Sequence, residues 1–148
     1  MSDFSELPLS TALHQGVTAA EYLEMTPVQS ASLPAILAGR DVIAQAKTGS
    51  GKTASFGLPL LNRLDPRRFA VQAMVLCPTR ELADQVAQEL RRLARAADNT
   101  KILTLCGGAT MRPQITSLEH GAHFVVGTPG RILDHMERGT LNLEGLNT

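Results

Sequence analysis

Eight consecutive residues, Ala46-Lys47-Thr48-Gly49-Ser50-Gly51-Lys52-Thr53, carry the densest chemistry in the sequence. Gly49 and Gly51 free the backbone to curl through dihedrals that other residues rarely adopt, which lets it approach an anion closely. Curled amides at the start of a helix form an anion cradle, because unpaired N–H groups and the helix dipole both favour negative charge. Lys52 is a compact cation that can bridge the β- and γ-phosphates of a nucleoside triphosphate, and the Thr53 hydroxyl is a ligand for Mg²⁺. The general pattern for such loops begins with glycine, where this chain has Ala46. A glycine-rich strand end beside a chance lysine is the competing reading. The Gly-x-Gly-Lys-Thr core, set between an apolar run and a helical pattern, argues against it.

Such a loop needs a strand before it and a helix after it. Four short apolar runs are expected to be buried strands of a parallel sheet: Asp41 to Ala46, Ala73 to Cys77, Lys101 to Cys106 and His123 to Gly127. Helical patterns lie between them. The clearest runs from about Arg80 to Ala97, where Ala83, Val86, Leu90, Leu93 and Ala97 make one apolar stripe. Its acids Glu81 and Asp84 come early and Arg91, Arg92 and Arg95 late, which suits the helix dipole. Pro27 to Leu37, Lys52 to Leu64 and Pro129 to Arg138 read as further helices, with Pro34 expected to bend or divide the first and Pro66 marking a loop after the second. Alternating strands and helices predict an α/β domain, in which ligands bind at the carboxyl ends of the strands.

Composition narrows the field. The chain has 148 residues, the size of a single domain, and 14 acidic side chains balance 14 basic ones. Nucleic-acid binding therefore requires a local cluster of cations rather than a bulk excess. Cys77 and Cys106 sit in apolar runs and are expected to be buried free thiols, which favours a reducing cytoplasmic setting. Met1 to Glu6 is acidic and lacks the apolar core of a signal peptide, and no apolar run reaches the ~20 residues that span a bilayer. His14, His120, His123 and His135 show no metal spacing and read as surface or packing residues.

Further motifs sit at loop positions around the phosphate loop. They are Tyr22-Leu23-Glu24-Met25-Thr26-Pro27-Val28-Gln29, Pro78-Thr79-Arg80-Glu81-Leu82-Ala83, Gly107-Gly108 and Thr128-Pro129-Gly130-Arg131. In that order, and over essentially the whole chain, they resemble the first RecA-like domain of the DEAD-box RNA helicases. The Ala-x-Thr-Gly-x-Gly-Lys-Thr loop is that family's own variant. Leu76 to Arg95, with Asn99 to Gly108, resembles the ribosomal-RNA helicases of bacteria in particular.

The resemblance implies an incomplete RecA-like P-loop domain with a mainly parallel sheet flanked by helices. Residues 1–29 become an N-terminal adenine-recognition segment, the Q motif, and residues 30–148 part of helicase domain 1. ATP and Mg²⁺ are the implied cofactors. Gln29 presents a planar donor and acceptor that can pair with adenine N6 and N7. Tyr22 takes the family's adenine-stacking position, Thr26 belongs to the same motif, and Phe4 takes that of an upstream aromatic supporting the base. Ordinary core packing competes for Phe4 and Tyr22, and a solvated helix position for Gln29. Glu24 departs from the basic or polar residue expected near the base. Lys52 and Thr53 are the residues placed closest to chemistry.

Pro78, Thr79, Arg80, Gly107, Gly108, Thr128, Pro129, Gly130 and Arg131 are implied to line a track for single-stranded RNA, held by its sugar-phosphate backbone. Helix-end solvation, or an ion pair with Glu81 or Asp134, competes for Arg80 and Arg131. For Arg91, Arg92 and Arg95 a solvated helix face is the leading reading. The family's Asp-Glu-Ala-Asp motif is expected shortly beyond Thr148, and a second RecA-like domain supplies an arginine finger. The parent protein is therefore expected to unwind RNA locally using ATP, with ribosomal RNA as the implied class and no membrane partner. The chain alone is expected to bind nucleotide weakly and hydrolyse almost none. Two rivals remain: a P-loop kinase or GTPase, for which a guanine-reading Asn-Lys-x-Asp is absent, and an inactive nucleotide- or RNA-binding fragment.

Overall fold

A computed structural model describes residues 3–97 and 99–148. Contacts divide the chain into two compact units, residues 1–63 with 89–97 and residues 64–88 with 98–148.

The first unit is helical. A 3-10 turn over Phe4–Glu6 is followed by α1 (Thr11–Ala19), α2 (Pro27–Leu37) and α3 (Lys52–Arg63), and the end of α4 (Arg80–Leu93) belongs to it. Ser10 caps α1 by accepting from the Leu13 amide. Thr26 and Gln29 form a reciprocal capping box on α2, each side chain bonding the other's backbone. Pro34 does not divide α2, which stays continuous past it. The buried side chains Leu13, Leu33, Leu58, Leu90 and Leu93 make up much of the core of this unit. At Gly16 a Cβ would lie 1.9 Å from the Leu93 carbonyl oxygen, so glycine is what lets α1 and the end of α4 touch.

One strand expectation fails here. Asp41 to Ala46 forms no strand, and Ile43 is fully exposed. Its β-branched, apolar sequence suits a buried strand. A strand nevertheless requires a hydrogen-bonded neighbour, and no described residue pairs with this segment.

The second unit holds a parallel sheet in the order β1-β3-β2, with β1 Ala73–Leu76, β2 Ile102–Leu105 and β3 Phe124–Gly127. The helices are the start of α4, α5 (Met111–His120) and α6 (Pro129–Arg138). Central β3 is buried throughout, whereas edge strand β1 leaves Leu76 half exposed. Val71, Leu105, Val125, Ile132 and Leu141 form the core, with Leu118 of α5 packed against it. The final residues follow the outer edge of β1: the Thr148 amide donates to the Gln72 carbonyl, and the Met74 amide donates to the Thr148 carbonyl at 3.0 Å. Helix α4 stops at Leu93, short of the expected Ala97, and the chain turns through Ala94 to Ala96.

Candidate nucleotide loop and nucleic-acid interface

The predicted phosphate loop lies in the first unit. Gly49 and Gly51 have φ of 79° and 87°, the left-handed region that glycine alone enters without strain. Nothing lies within 4 Å of a Cβ built on Gly49, so the turn is open there. A Cβ on Gly51 would stand 2.3 Å from Gln29 Nε2. Gln29 is fully buried, with Nε2 donating to the Gly51 carbonyl at 3.1 Å and Oε1 accepting from the Thr26 amide at 2.9 Å. One N–H and one lone pair of that amide remain for another partner. Glutamine and loop therefore belong to one built arrangement, and the solvated-helix reading of Gln29 fails.

Lys52 opens α3 and folds back over its own loop. Its ammonium donates to the Ala46 carbonyl and, at 2.8 Å, to the Lys47 carbonyl. Thr53 follows in the first turn of α3, part-buried. The Ser50 hydroxyl is buried without a hydrogen-bond partner among the described residues. An orphaned hydroxyl, two left-handed glycines and a cation satisfied only by loop carbonyls fit an anion better than a finished structural turn. For Mg²⁺ the fit is partial. Thr53 offers one oxygen, and among the described residues no cluster of three His, Cys, Asp or Glu could hold a metal.

Phe4 and Tyr22 meet edge to face with ring centroids 5.7 Å apart, and Phe4 is 2% exposed. The Tyr22 hydroxyl donates to the Glu89 carboxylate. Burial first, and then that bond, push the phenol well above its ordinary range. A cavity of about 370 Å³ opens beside both rings, lined by Val17, Thr18 and Leu23 among others. Arg92 donates to the Ala20 carbonyl at 2.9 Å and pairs with Glu89, so it is not simply a solvated cation.

In the second unit the three motifs expected to meet an RNA backbone converge. The registers pair Leu76 with Gly127 and Leu105 with Gly127, so the loops after all three strands leave the sheet at one level. The Gly107 amide donates to Thr128 Oγ1 at 3.0 Å. Gly108 has φ of 81°, and a Cβ there would lie 3.8 Å from an Arg80 guanidinium nitrogen. Thr79 caps α4 through the Leu82 amide. Arg80 pairs with Asp84 at 3.9 Å, not with Glu81, and both partners are about half exposed, so the contact is weak. Pro78, Pro129 and Gly130 are exposed beside them.

Arg131 is committed differently from the sequence expectation. It bonds neither Asp134 nor solvent alone: its guanidinium donates to the Ala109 carbonyl at 2.8 Å and to Gln114 Oε1 at 3.2 Å. Gln114 was not legible as a site residue, since nothing in the spacing of α5 distinguishes it. His123 and His135 are fully buried and hydrogen-bonded through both ring nitrogens. Cys77 and Cys106 are buried and free, and burial raises both thiols above their ordinary range.

A glycine-rich loop at the start of a helix, a glutamine bonded to it, and parallel strands flanked by helices are the features of a RecA-like domain. The chain belongs to the DEAD/DEAH box helicase family, whose pattern matches residues 26–148. It is 67% identical over 127 residues to the ATP-dependent RNA helicase DbpA of Escherichia coli K12, covering 86% of this chain and 28% of that protein. It is 47% identical over its full length to the DEAD-box ATP-dependent RNA helicase CshA of Bacillus cereus, again 28% of the relative. A DEAD box protein from the hyperthermophile Methanococcus jannaschii superposes with a TM-score of 0.92 at 42% identity, over 99% of this chain and 40% of that one. Dbp5 of Saccharomyces cerevisiae, bound to RNA and ADP BeF3, superposes with a TM-score of 0.88 at 30% identity, over 99% of this chain and 37% of that one. The chain thus spans about 28% of the curated relatives' length.

Proposed function

We propose that this chain binds ATP and the RNA backbone as the first part of an ATP-dependent RNA helicase. The observation that carries the reading is the Gln29 amide bonded to the Gly51 carbonyl, which sets an adenine-matching group against a phosphate-matching loop. On this reading Lys52 exchanges the Ala46 and Lys47 carbonyls for β- and γ-phosphate oxygens, and loop amides from Lys47 to Thr53 close around the β-phosphate. Tyr22 stacks on the base, with Phe4 behind it. The Thr53 hydroxyl would be this chain's ligand to Mg²⁺, which would supply positive charge against the phosphates.

Thr79, Arg80, Gly107, Gly108, Thr128 and Gly130 hold the RNA sugar-phosphate backbone, which explains how such a site works without reading sequence. The likeness to the ATP-dependent RNA helicase DbpA supports RNA as the substrate class, and the resemblance of Leu76 to Arg95 and Asn99 to Gly108 to bacterial ribosomal-RNA helicases narrows the proposal to ribosomal RNA. A second RecA-like domain supplies the charge that completes phosphoryl transfer, an effect worth roughly 10³–10⁵ in rate where a finger arginine acts. Buried reduced thiols suit the cytoplasm. For the chain by itself binding without turnover is the expected behaviour, because the charge that completes phosphoryl transfer is assigned here to the second domain.

The test compares ATP with GTP. Titration with fluorescent analogues is expected to show a preference for the adenine nucleotide that Gln29→Ala removes. Equal affinity for both nucleotides in the unaltered chain would sink the adenine assignment.

A further inference from the structure

The second unit holds a polar chain that the proposed RNA contacts do not use directly. Gln114 of α5 is 7% exposed, and its Nε2 donates to the Cys106 carbonyl at 3.2 Å. Its Oε1 faces two groups, Arg131 at 3.2 Å and His135 Nε2 at 2.8 Å. A carbonyl oxygen only accepts, so the imidazole proton sits on Nε2 and Nδ1 is the acceptor. The remaining neighbour of Nδ1 is the Thr140 hydroxyl at 2.8 Å, whose single proton is shared between Nδ1 and the His135 backbone carbonyl at 3.2 Å. The bonds to carbonyl oxygens thus have fixed directions, His135 to Gln114 and Arg131 to both Gln114 and Ala109, while Thr140 holds His135 at the ring and at its own carbonyl.

We infer that Gln114, His135 and Thr140 are positioning residues for the RNA interface. The inference rests on the RNA reading above. None of the three needs to touch RNA. Gln114 ties the loop after β2, through the Cys106 carbonyl, to the first turn of α6, through Arg131. Gly107-Gly108 and Thr128-Pro129-Gly130 are the segments so tied; within them the Gly107 amide is donated to Thr128 Oγ1, the Thr128 amide to the Leu105 carbonyl, and Pro129 has none, so Gly108 and Gly130 carry the amides that can meet phosphate. Amides bind phosphate only if their spacing is held, since each hydrogen bond weakens steeply with misalignment. Burial makes the network demanding, because removing one member leaves a desolvated partner. It also leaves Arg131 with free N–H groups on a fixed guanidinium, aimed by its two anchored bonds.

The experiment is a double-mutant cycle on the affinity of the full chain for a single-stranded oligonucleotide, measured across salt concentrations, with folding checked by urea denaturation. Gln114→Met is expected to weaken binding about tenfold, the scale of one charge-assisted bond, and to lower the salt slope by roughly 0.7, the loss of one phosphate contact. In an Arg131→Ala background the same change should do nothing further. Thr140→Ser should keep wild-type affinity while Thr140→Val loses it. Additive losses from Gln114 and Arg131, or unaltered affinity in Gln114→Met, overturn the inference and leave the RNA reading intact. Absence of RNA binding by the unaltered chain overturns the RNA reading instead. The network is then still tested by ¹⁵N chemical shifts of His135, where a proton on Nδ1 contradicts it.

Discussion

Single atoms decide most at Gly51 and Tyr22. Gly51 combines a left-handed φ of 87° with a Cβ position 2.3 Å from Gln29 Nε2. Gly51→Ala therefore strains the backbone and displaces the amide of the proposed adenine contact. A strain of about 1–3 kcal/mol is expected, read as a nucleotide affinity lower by roughly an order of magnitude in an equilibrium titration. Gly49→Ala meets the same φ penalty with open space around it, so it should do less harm. At Tyr22 the neutral phenol is the bonded form, and its folded pKa lies above the unfolded value of 10.0. A raised pKa means that the stabilisation is complete below pH 10.0 and is lost as pH rises past it. Urea midpoints followed into that alkaline range should fall for the unaltered chain and fall less for Tyr22→Phe. Equal slopes for the two proteins would show that neither burial of the phenol nor its Glu89 bond sets the alkaline decline.

At the scale of elements, contact depends on small residues and oriented polar groups. Gly16 lies where a Cβ would be 1.9 Å from the backbone oxygen of Leu93, whereas at Gly57 the nearest atom, 2.6 Å away, is the mobile end of the Leu90 side chain. Backbone cannot yield as a methyl can. Gly16→Ala is expected to destabilise by about 3 kcal/mol or more and Gly57→Ala by about 1 kcal/mol, within the range for overpacking, as measured by chemical denaturation. His135 gives a pH signature in the second unit. Burial holds its imidazole below the ordinary 6.5, with Arg131 and Arg138 adding repulsion against the weaker pull of Asp134. The unfolded state protonates first, so stability is whole above pH 6.5 and declines below it. Replacing His135 with Gln should flatten that acid decline at a cost in neutral stability; an unchanged decline would assign it to other groups.

These elements were legible to different degrees for physical reasons. Strands β1, β2 and β3 were legible because each is apolar on both faces, and α4 because its stripe of Ala83, Val86, Leu90 and Leu93 is continuous. Helices α1 and α5 were not legible: Gly16 and Thr18 dilute the first, and Pro113 with polar neighbours masks the second. The phosphate loop could be read because its function resides in local dihedrals and adjacent residues. The Gln29 capping box also had a local signature, Thr-x-x-Gln, although it was read as a base contact alone. Gln114 and His135 could not be read, since their roles exist only through partners 17 and 21 positions apart.

Across the whole molecule, the segment from Asp41 to Ala46 shows what sequence pattern leaves undetermined. Its apolar, β-branched character predicts a strand, and that propensity expresses itself only where neighbouring strands supply hydrogen bonds and cover both faces. Val42 and Ile43 are instead exposed, and Leu76 is half exposed on edge strand β1. An uncovered apolar segment together with an open strand edge is a template for association between copies. The isolated chain should therefore lose solubility as concentration rises. Ile43→Lys places a charge where no described contact is lost, so it should raise the soluble fraction in a sedimentation assay while leaving the urea midpoint unchanged. A fall in the midpoint would mean that Ile43 is packed in solution. Unaltered solubility would move the liability to the β1 edge, where Leu76→Lys applies the same test.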